Sequence, residues 1–465
     1  MLPPPESSPA RFIHRRWSDT ASDTASDATS DIGLTAAHVG LRRWMVLGMI
    51  MTAAVSGSIN KQMLPLIVGP LKTDMGLSDA QIGIMTGLAP GLLSGVATLG
   101  LGWLADRTAR QWLLAVCILG WSVATAVMAT ANSFIGLVIG AFALSMGEMA
   151  LLPIFNSAVP DMFPDRMRRQ INLFYGAVIV ASAGITLAIC GLALSLLTEH
   201  RAALPGPLSV LAPWRVGLLL TAVLGIPVAL GVVLAGPIPR TASFRAAPSP
   251  TAFFRRHFRA TFGLYAAFCL FGIGSSAVLS WTTIYMMRAH SLTPAQLGAG
   301  VGAVFLASSF LGILGSGFAL KRLTPRHGVL APLKLYLGAM LLSAVPGAVL
   351  PFVSNLGLAY VVMTAQFTLI FAAMAHNFSL VQDLSPANAR GRASGLFALS
   401  VGVLPAFAPL LVGMLSDRLH MGAAGLMVAI SAISVPAYCL GAITLVATSG
   451  AYREALRQLS AGSPS

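Results

Sequence analysis

The chain has 465 residues, of which 56% are hydrophobic and only 9% charged, and its mean hydropathy is +0.80. A soluble domain carries about a quarter charged residues to solvate its surface, so a cytosolic enzyme, a secreted disulfide scaffold and a nucleic-acid binder are all excluded. The net charge of +14 does not rescue the last, because the basic clusters sit between apolar runs rather than on a soluble module. The four cysteines, Cys117, Cys190, Cys269 and Cys439, are scattered in apolar runs with no C-x-x-C spacing. They read as small packing residues.

The first forty residues, with the polar repeat TASDTASDATSD between Pro- and Arg-bearing ends, cannot bury a core and are expected to be disordered. No apolar stretch follows Met1, so no signal peptide is expected. Beyond them, a hydrocarbon layer of about 30 Å needs about 20 apolar residues per helix. That ruler yields twelve spans: 44–70, 80–104, 112–130, 133–157, 171–198, 212–236, 259–287, 295–320, 332–351, 355–381, 391–415 and 421–448. Most of the 29 Lys and Arg then fall in alternate segments that include both ends of the chain. The positive-inside rule puts both termini in the cytoplasm. The expected fold is all-α and integral to the membrane, with twelve transmembrane helices in two pseudo-symmetric six-helix bundles. The tails are 1–43 and 449–465, the bundles 44–236 and 259–448, and a basic Pro/Ser-rich linker, 237–258, joins the bundles.

The halves echo each other. GLGWLADRTAR after the second span has a counterpart in GSGFALKRLTPR after the eighth, and DMFPDRMRRQ after the fourth has one in DLSPANARGR after the tenth. Asp161, Pro164 and Arg168 match Asp383, Pro386 and Arg390 at the same spacing. Repeated halves with a site between them are a transporter architecture.

GWLADRTAR resembles the loop 2–3 signature of the major facilitator superfamily, G-x-L-a-D-R-x-G-R-[RK], at Gly102, Asp106, Arg107 and Arg110. It departs at Ala109 and Gln111. LPLIVGPLKTDMGLSDAQIG, MGEMALLPIFNSAVPDMFP, PWRVGLLLTAVLGIP and WTTIYMMRAHSLTPAQLG extend the resemblance along the chain, toward the spinster-like and organic-anion symporter branches. In spinster-like relatives the first span carries an Asp-Arg pair and the fourth an Arg ahead of G-x-G-E-A. Here the pair reads Asn60-Lys61, and Ala141 stands in place of that Arg.

Ionisable groups inside a bilayer are costly and default to function. Glu148 in the fourth span and Lys61 in the first are expected to face each other as a proton-coupling pair. The competing reading is a structural pair that only locks the helices. His376 in the tenth span is the third candidate, balanced against a hydrogen-bonded packing histidine. Asn60, Gln62, Asn156, Trp281, Gln366 and Asn377 are the polar residues available to a substrate cavity. The resemblance implies a cytoplasmic gate in which Asp106 faces the start of span eleven. Gly102, Arg107, Arg110, Asp161, Arg166, Arg168, Arg169 and Arg390 surround it. Lys321 takes the place of the acid in the second copy, so the gate is expected to be asymmetric. Gly83, Gly87, Gly91 and Gly95 form a smooth stripe for close helix contact.

No P-loop, catalytic constellation or metal-ligand spacing is present, so neither a cofactor nor an enzymatic activity is expected. The resulting expectation is a monomeric secondary active transporter of the inner or plasma membrane. Its partners are a small-molecule substrate, protons and the bilayer, with no nucleic acid. The substrate class is a small organic anion or an amphipathic, lipid-like molecule. The alternatives on the same fold are a transport-inactive sensor or scaffold, and a uniporter or exchanger without proton coupling. A channel is disfavoured because no ring of pore charges recurs.

Overall fold

The computed structural model describes residues 40–91, 100–101, 104, 107–238, 255–385 and 390–461. The tail repeat, Gly95, Gly102, Trp103, Asp106 and most of the linker lie outside the described residues, as do the side chains of Arg169 and Arg390. Contacts divide the chain into Met1–Gly48 and Met49–Ser465. Every contact below lies within the second unit.

The described regular structure is helical. Helix α1 runs over Leu41–Met75, and α2, Asp79–Gly83, continues as a π-helical turn, Ile84–Leu88. They are followed by α3 (Arg110–Thr130), α4 (Phe134–Glu148), α5 (Leu151–Met162), α6 (Asp165–Glu199) and α7 (Pro213–Leu234). The remainder are α8 (Phe258–His290), α9 (Pro294–His327), α10 (Ala331–Val349), α11 (Leu356–Met374), α12 (Asn377–Asp383), α13 (Arg390–Gly402), α14 (Ala408–Leu419) and α15 (Gly422–Ala461).

Among the described residues, nine segments are long and apolar enough to cross a membrane; one of them, Pro294–Phe352, covers two of the spans expected from sequence. Not among the nine are 44–70, whose helix carries Asn60, Lys61 and Gln62, and 80–104, of which residues 92–99 are not described. Large apolar side chains such as Leu220, Ile226, Leu314 and Ile443 are exposed, as a lipid-facing surface requires.

Three expected spans are not continuous. The fourth breaks between α4 and α5, where Pro153 has no N–H to donate to the Met149 carbonyl. The tenth breaks at Ala375 and His376, between α11 and α12. The eleventh breaks before a 3₁₀ turn at Pro405–Phe407. Hydropathy averages over a break of two residues, so a window long enough to detect a span cannot see it.

The packing repeats. Helix α3 lies along α4 and α7, and α10 lies along α11 and α15 in the same relative order. Two further pairings join the first set to the second: α6 with α9, and α2 with α14.

Candidate functional site

The polar positions of α1 point in several directions. Asn60 is buried, accepts from the Thr125 hydroxyl at 3.2 Å and donates to the Ser56 carbonyl at 3.2 Å. It therefore clamps α1 to α3 in this conformation. The Ser58 and Thr186 hydroxyls lie 3.1 Å apart and tie α1 to α6. On the next face, Gly57 passes directly beside Glu148: a Cβ there would stand 3.7 Å from Glu148 Cγ and 3.8 Å from Oε1. Lys61 is one turn further along that face and is exposed, while Gln62 is half-buried.

Glu148 is the last residue of α4, immediately before the break, and its Oε1 is buried without a hydrogen-bond partner. Lys61 and Glu148 thus share a face, but among the described residues no ion pair within 4.0 Å joins them. The two side chains face each other across this contact without closing to ion-pair distance in this conformation.

His376 lies at the break in the tenth span. It is buried at the start of α12, with Nε2 unpartnered, and the Oδ1 of its buried neighbour Asn377 is unpartnered too. Asn156 in α5 is exposed. Two other residues expected in the cavity face elsewhere. Trp281 is fully buried and donates from Nε1 to the Pro409 carbonyl at 2.9 Å, which joins α8 to α14. Gln366 is buried, with Nε2 3.5 Å from the Tyr438 hydroxyl of α15. Both were selected as polar residues in apolar runs, a criterion that does not distinguish the face toward a cavity from the face toward a neighbouring helix.

At the end of the bundle carrying the α2–α3 connection, Arg110 donates to Asp161 at 2.6 Å and to the Ser157 carbonyl at 3.2 Å, with both ionic side chains nearly buried. Arg168 donates to the carbonyls of Phe163 and Pro160 and so closes the end of α5. These contacts link α3, α5 and α6, all from the first half of the chain. Arg107 and Arg166 are exposed at the same end. Gly102 and Asp106, with the side chains of Arg169 and Arg390, are outside the described residues, so the expected contact of Asp106 with span eleven is as well.

The opposite end holds a denser ionic cluster that sequence reasoning did not single out. Asp79, the first residue of α2, receives Lys72 at 2.6 Å, both guanidinium nitrogens of Arg288 at 2.9 and 3.0 Å, and the Ser416 hydroxyl at 2.8 Å. Asp417 accepts from the backbone N–H of Asp79 at 2.9 Å and of Ala80 at 2.8 Å, a carboxylate placed on a helix start where the dipole favours it. Burial acts to raise the Asp79 carboxyl, but the hydrogen bonds from Arg288, Lys72 and Ser416 outweigh it and hold it below the ordinary carboxylate range. The cluster joins α1 and α2 to α8 and α14.

Below that cluster, Gly83, Gly87 and Gly91 lie against Pro409 and Ala406, so closely that a Cβ at any of the three would collide. This is the glycine stripe read from the sequence, and its partner is α14 with the turn before it. Across the molecule, Gly191 and Gly298 make the same close approach between α6 and α9, where the Ala295 N–H donates to the Ser195 hydroxyl at 2.9 Å. The one signal in the sequence for Asp79 was its place beside a Ser-x-x-Gln capping box, which announces a helix start and says nothing of Arg288, 209 residues away.

Comparison with known proteins agrees with this architecture. The chain is 25% identical over 428 residues to an MFS-type efflux pump of Mycolicibacterium smegmatis, covering 90% of this chain and 95% of that one. It is 29% identical over 146 residues to a D-galactonate transporter of Escherichia coli, covering 31% and 34% of the two chains. Among solved structures, a bacterial homolog of the human lysosomal transporter Spinster, inward-facing and unoccupied, superposes with a TM-score of 0.72 at 18% identity. That match covers 92% of this chain and 100% of the other. The nucleoside transporter NupG superposes with a TM-score of 0.65 at 12% identity, over 89% and 100%. The family profile of the Major Facilitator Superfamily matches residues 50–409. The chain is an all-helical, multi-pass membrane protein and belongs to the Major Facilitator Superfamily of transporters.

Proposed function

We propose that the protein is a secondary active transporter that moves a small organic anion or an amphipathic molecule by alternating access, with a proton coupled through Glu148. The single observation that carries alternating access is the Asp79 cluster. It ties elements of both halves together at one end of the molecule, as a gate on that side must. With the orientation read from basic loop residues, this end faces outward, both termini are cytoplasmic, and the cytoplasmic gate is built around Asp106 and Arg110. The chain then has twelve spans in two six-helix bundles in the inner or plasma membrane, and it acts as a monomer.

The coupling role rests on position. Glu148 ends a broken helix, and discontinuous helices form the midplane sites of many transporters. Its buried oxygen has no donor, and such a group persists in a membrane protein when it exchanges a proton or binds something. His376, at the break in the tenth span, is the second candidate. Lys61, one turn from the Glu148 contact, is the cation available to an anionic substrate. The relatives named a D-galactonate transporter and, over 122 residues, a probable sulfoacetate transporter of Cupriavidus necator support an organic anion as cargo.

The test is uptake into proteoliposomes with and without an imposed pH gradient. Glu148→Gln should lose gradient-driven accumulation while still exchanging labelled for unlabelled substrate across the membrane. Accumulation that survives in Glu148→Gln removes the coupling role from this residue. A wild-type protein indifferent to the pH gradient is a uniporter or exchanger.

A further inference from the structure

Helix α9, at 34 residues, is about 51 Å long, well beyond a hydrocarbon layer of about 30 Å, so its last turns reach the headgroup layer. Those turns carry Lys321, Arg322 and Arg326, and Lys334 follows in the first turn of α10. All four are exposed, and among the described residues none is ion-paired. Lys334 donates to Nδ1 of His327 at 3.0 Å, which draws the α10 cation to the end of α9.

This corner is the second copy of the α2–α3 sequence repeat. In the first copy the cation Arg110 has a protein counter-ion, Asp161, at 2.6 Å. In the second copy Lys321 replaces the acid of the motif, and among the described residues no carboxylate pairs with the cluster. Positive-inside topology accounts for the charge but not for where it points. Leu311, Leu314 and Phe318 form an exposed apolar stripe at helical spacing, the bilayer face of α9. Arg322 is the next residue on that stripe, one turn beyond Phe318, and its guanidinium lies 4.4 Å over the Phe318 ring. An apolar stripe for an acyl chain thus ends in a fixed planar cation at headgroup depth, with three more cations around it.

The geometry points to the α9–α10 corner as a docking surface for an acidic phospholipid, its phosphate held by Arg322 and Arg326 and its acyl chain laid along Phe318 and Leu314. Planar guanidinium groups suit phosphate in two-point contact. This inference is independent of the coupling role of Glu148.

The experiment is native mass spectrometry of the full chain released from nanodiscs of mixed phosphatidylglycerol and phosphatidylcholine. The unmodified protein should retain phosphatidylglycerol preferentially. The Arg322→Gln/Arg326→Gln double variant should lose that retention by about thirtyfold, since each basic residue at an anionic surface contributes separately. Arg201→Gln should leave it unchanged; Arg201 lies at the other end of the molecule, bonded to the Ser209 and Val210 carbonyls. The positions are exposed, and a melting curve of the double variant in phosphatidylcholine checks that it folds. Equal retention in the double variant, or loss of phosphatidylcholine to the same extent, overturns the proposal. So does stabilisation by inorganic phosphate equal to that by the lipid, which would make the corner a free-anion site.

Discussion

Replacing Asp79 by Asn removes the charge at the centre of the cluster that joins α1, α2, α8 and α14 while keeping its size. Its side chain is only 5% exposed and that of Arg288 19%, so their bidentate contact is sheltered from solvent, whereas Lys72, at 36%, is screened and adds little. Removing one partner of a buried ion pair costs about 3–5 kcal/mol. The partial exposure of Arg288 lowers the expected loss below that range, to about 2–3 kcal/mol. If that loss falls on the closed state alone, the ratio of closed to open gates drops about 30- to 150-fold. Spin labels at Thr73→Cys and Met421→Cys, in a background lacking Cys117, Cys190, Cys269 and Cys439, report the separation across this end by double electron–electron resonance. Asp79→Asn should convert a predominantly short distance into a distribution with a substantial long component. Arg288→Gln should do the same, and the two changes together should add little beyond either alone, because each breaks the same contact. A short distance that persists in both variants, with folding intact, would refute the assignment of this cluster as a gate.

Arg110→Met removes the guanidinium that lies 2.6 Å from the Asp161 carboxylate. Thermal unfolding in detergent should show a loss of about 3 kcal/mol, and the companion change Asp161→Leu should restore part of it. The pH dependence of the Asp79 cluster has a definite sign. Its carboxyl is held below the ordinary value, so the stabilisation it provides is complete above the unfolded carboxylate range and is lost only as pH falls through the lowered value. The spin-label distances should therefore not change between pH 5 and 8, and any change of transport across that window belongs to another group. Cysteines at Ser22 and Ser249 should resist a membrane-impermeant thiol reagent in intact cells; labelling of both would invert the proposed orientation.

Much was legible in the sequence because the bilayer imposes a one-dimensional constraint. Spans must be long and apolar, loops alternate in basic charge, and the family resemblance is carried by short contiguous motifs such as GWLADRTAR. The glycine stripe of α2 was legible for the same reason, since a helix face is written at intervals of three and four residues. Glu148 stood out as a carboxylate in an apolar run.

What a polar side chain faces is not written locally. Asn60, Trp281 and Gln366 carry the residue types of a cavity, yet each is consumed by a neighbouring helix: Thr125 of α3, Pro409 of α14 and Tyr438 of α15. The rotation of one helix against another decides this, and hydropathy has no term for it. The breaks at Met149 and His376 escaped notice because a span is recognised by averaging. The Asp79 cluster was invisible because its partners come from three other helices, two of them more than 200 residues away in the chain. Arg288 and Ser416 are unremarkable in their own segments, and they acquire a role only when α8 and α14 carry them to the start of α2. The sequence alone therefore determined that the chain spans the membrane and which superfamily it resembles, because both depend on composition and contiguous pattern. Only the tertiary structure decided which charges meet, because an ion pair depends on distance in space and not on position along the chain.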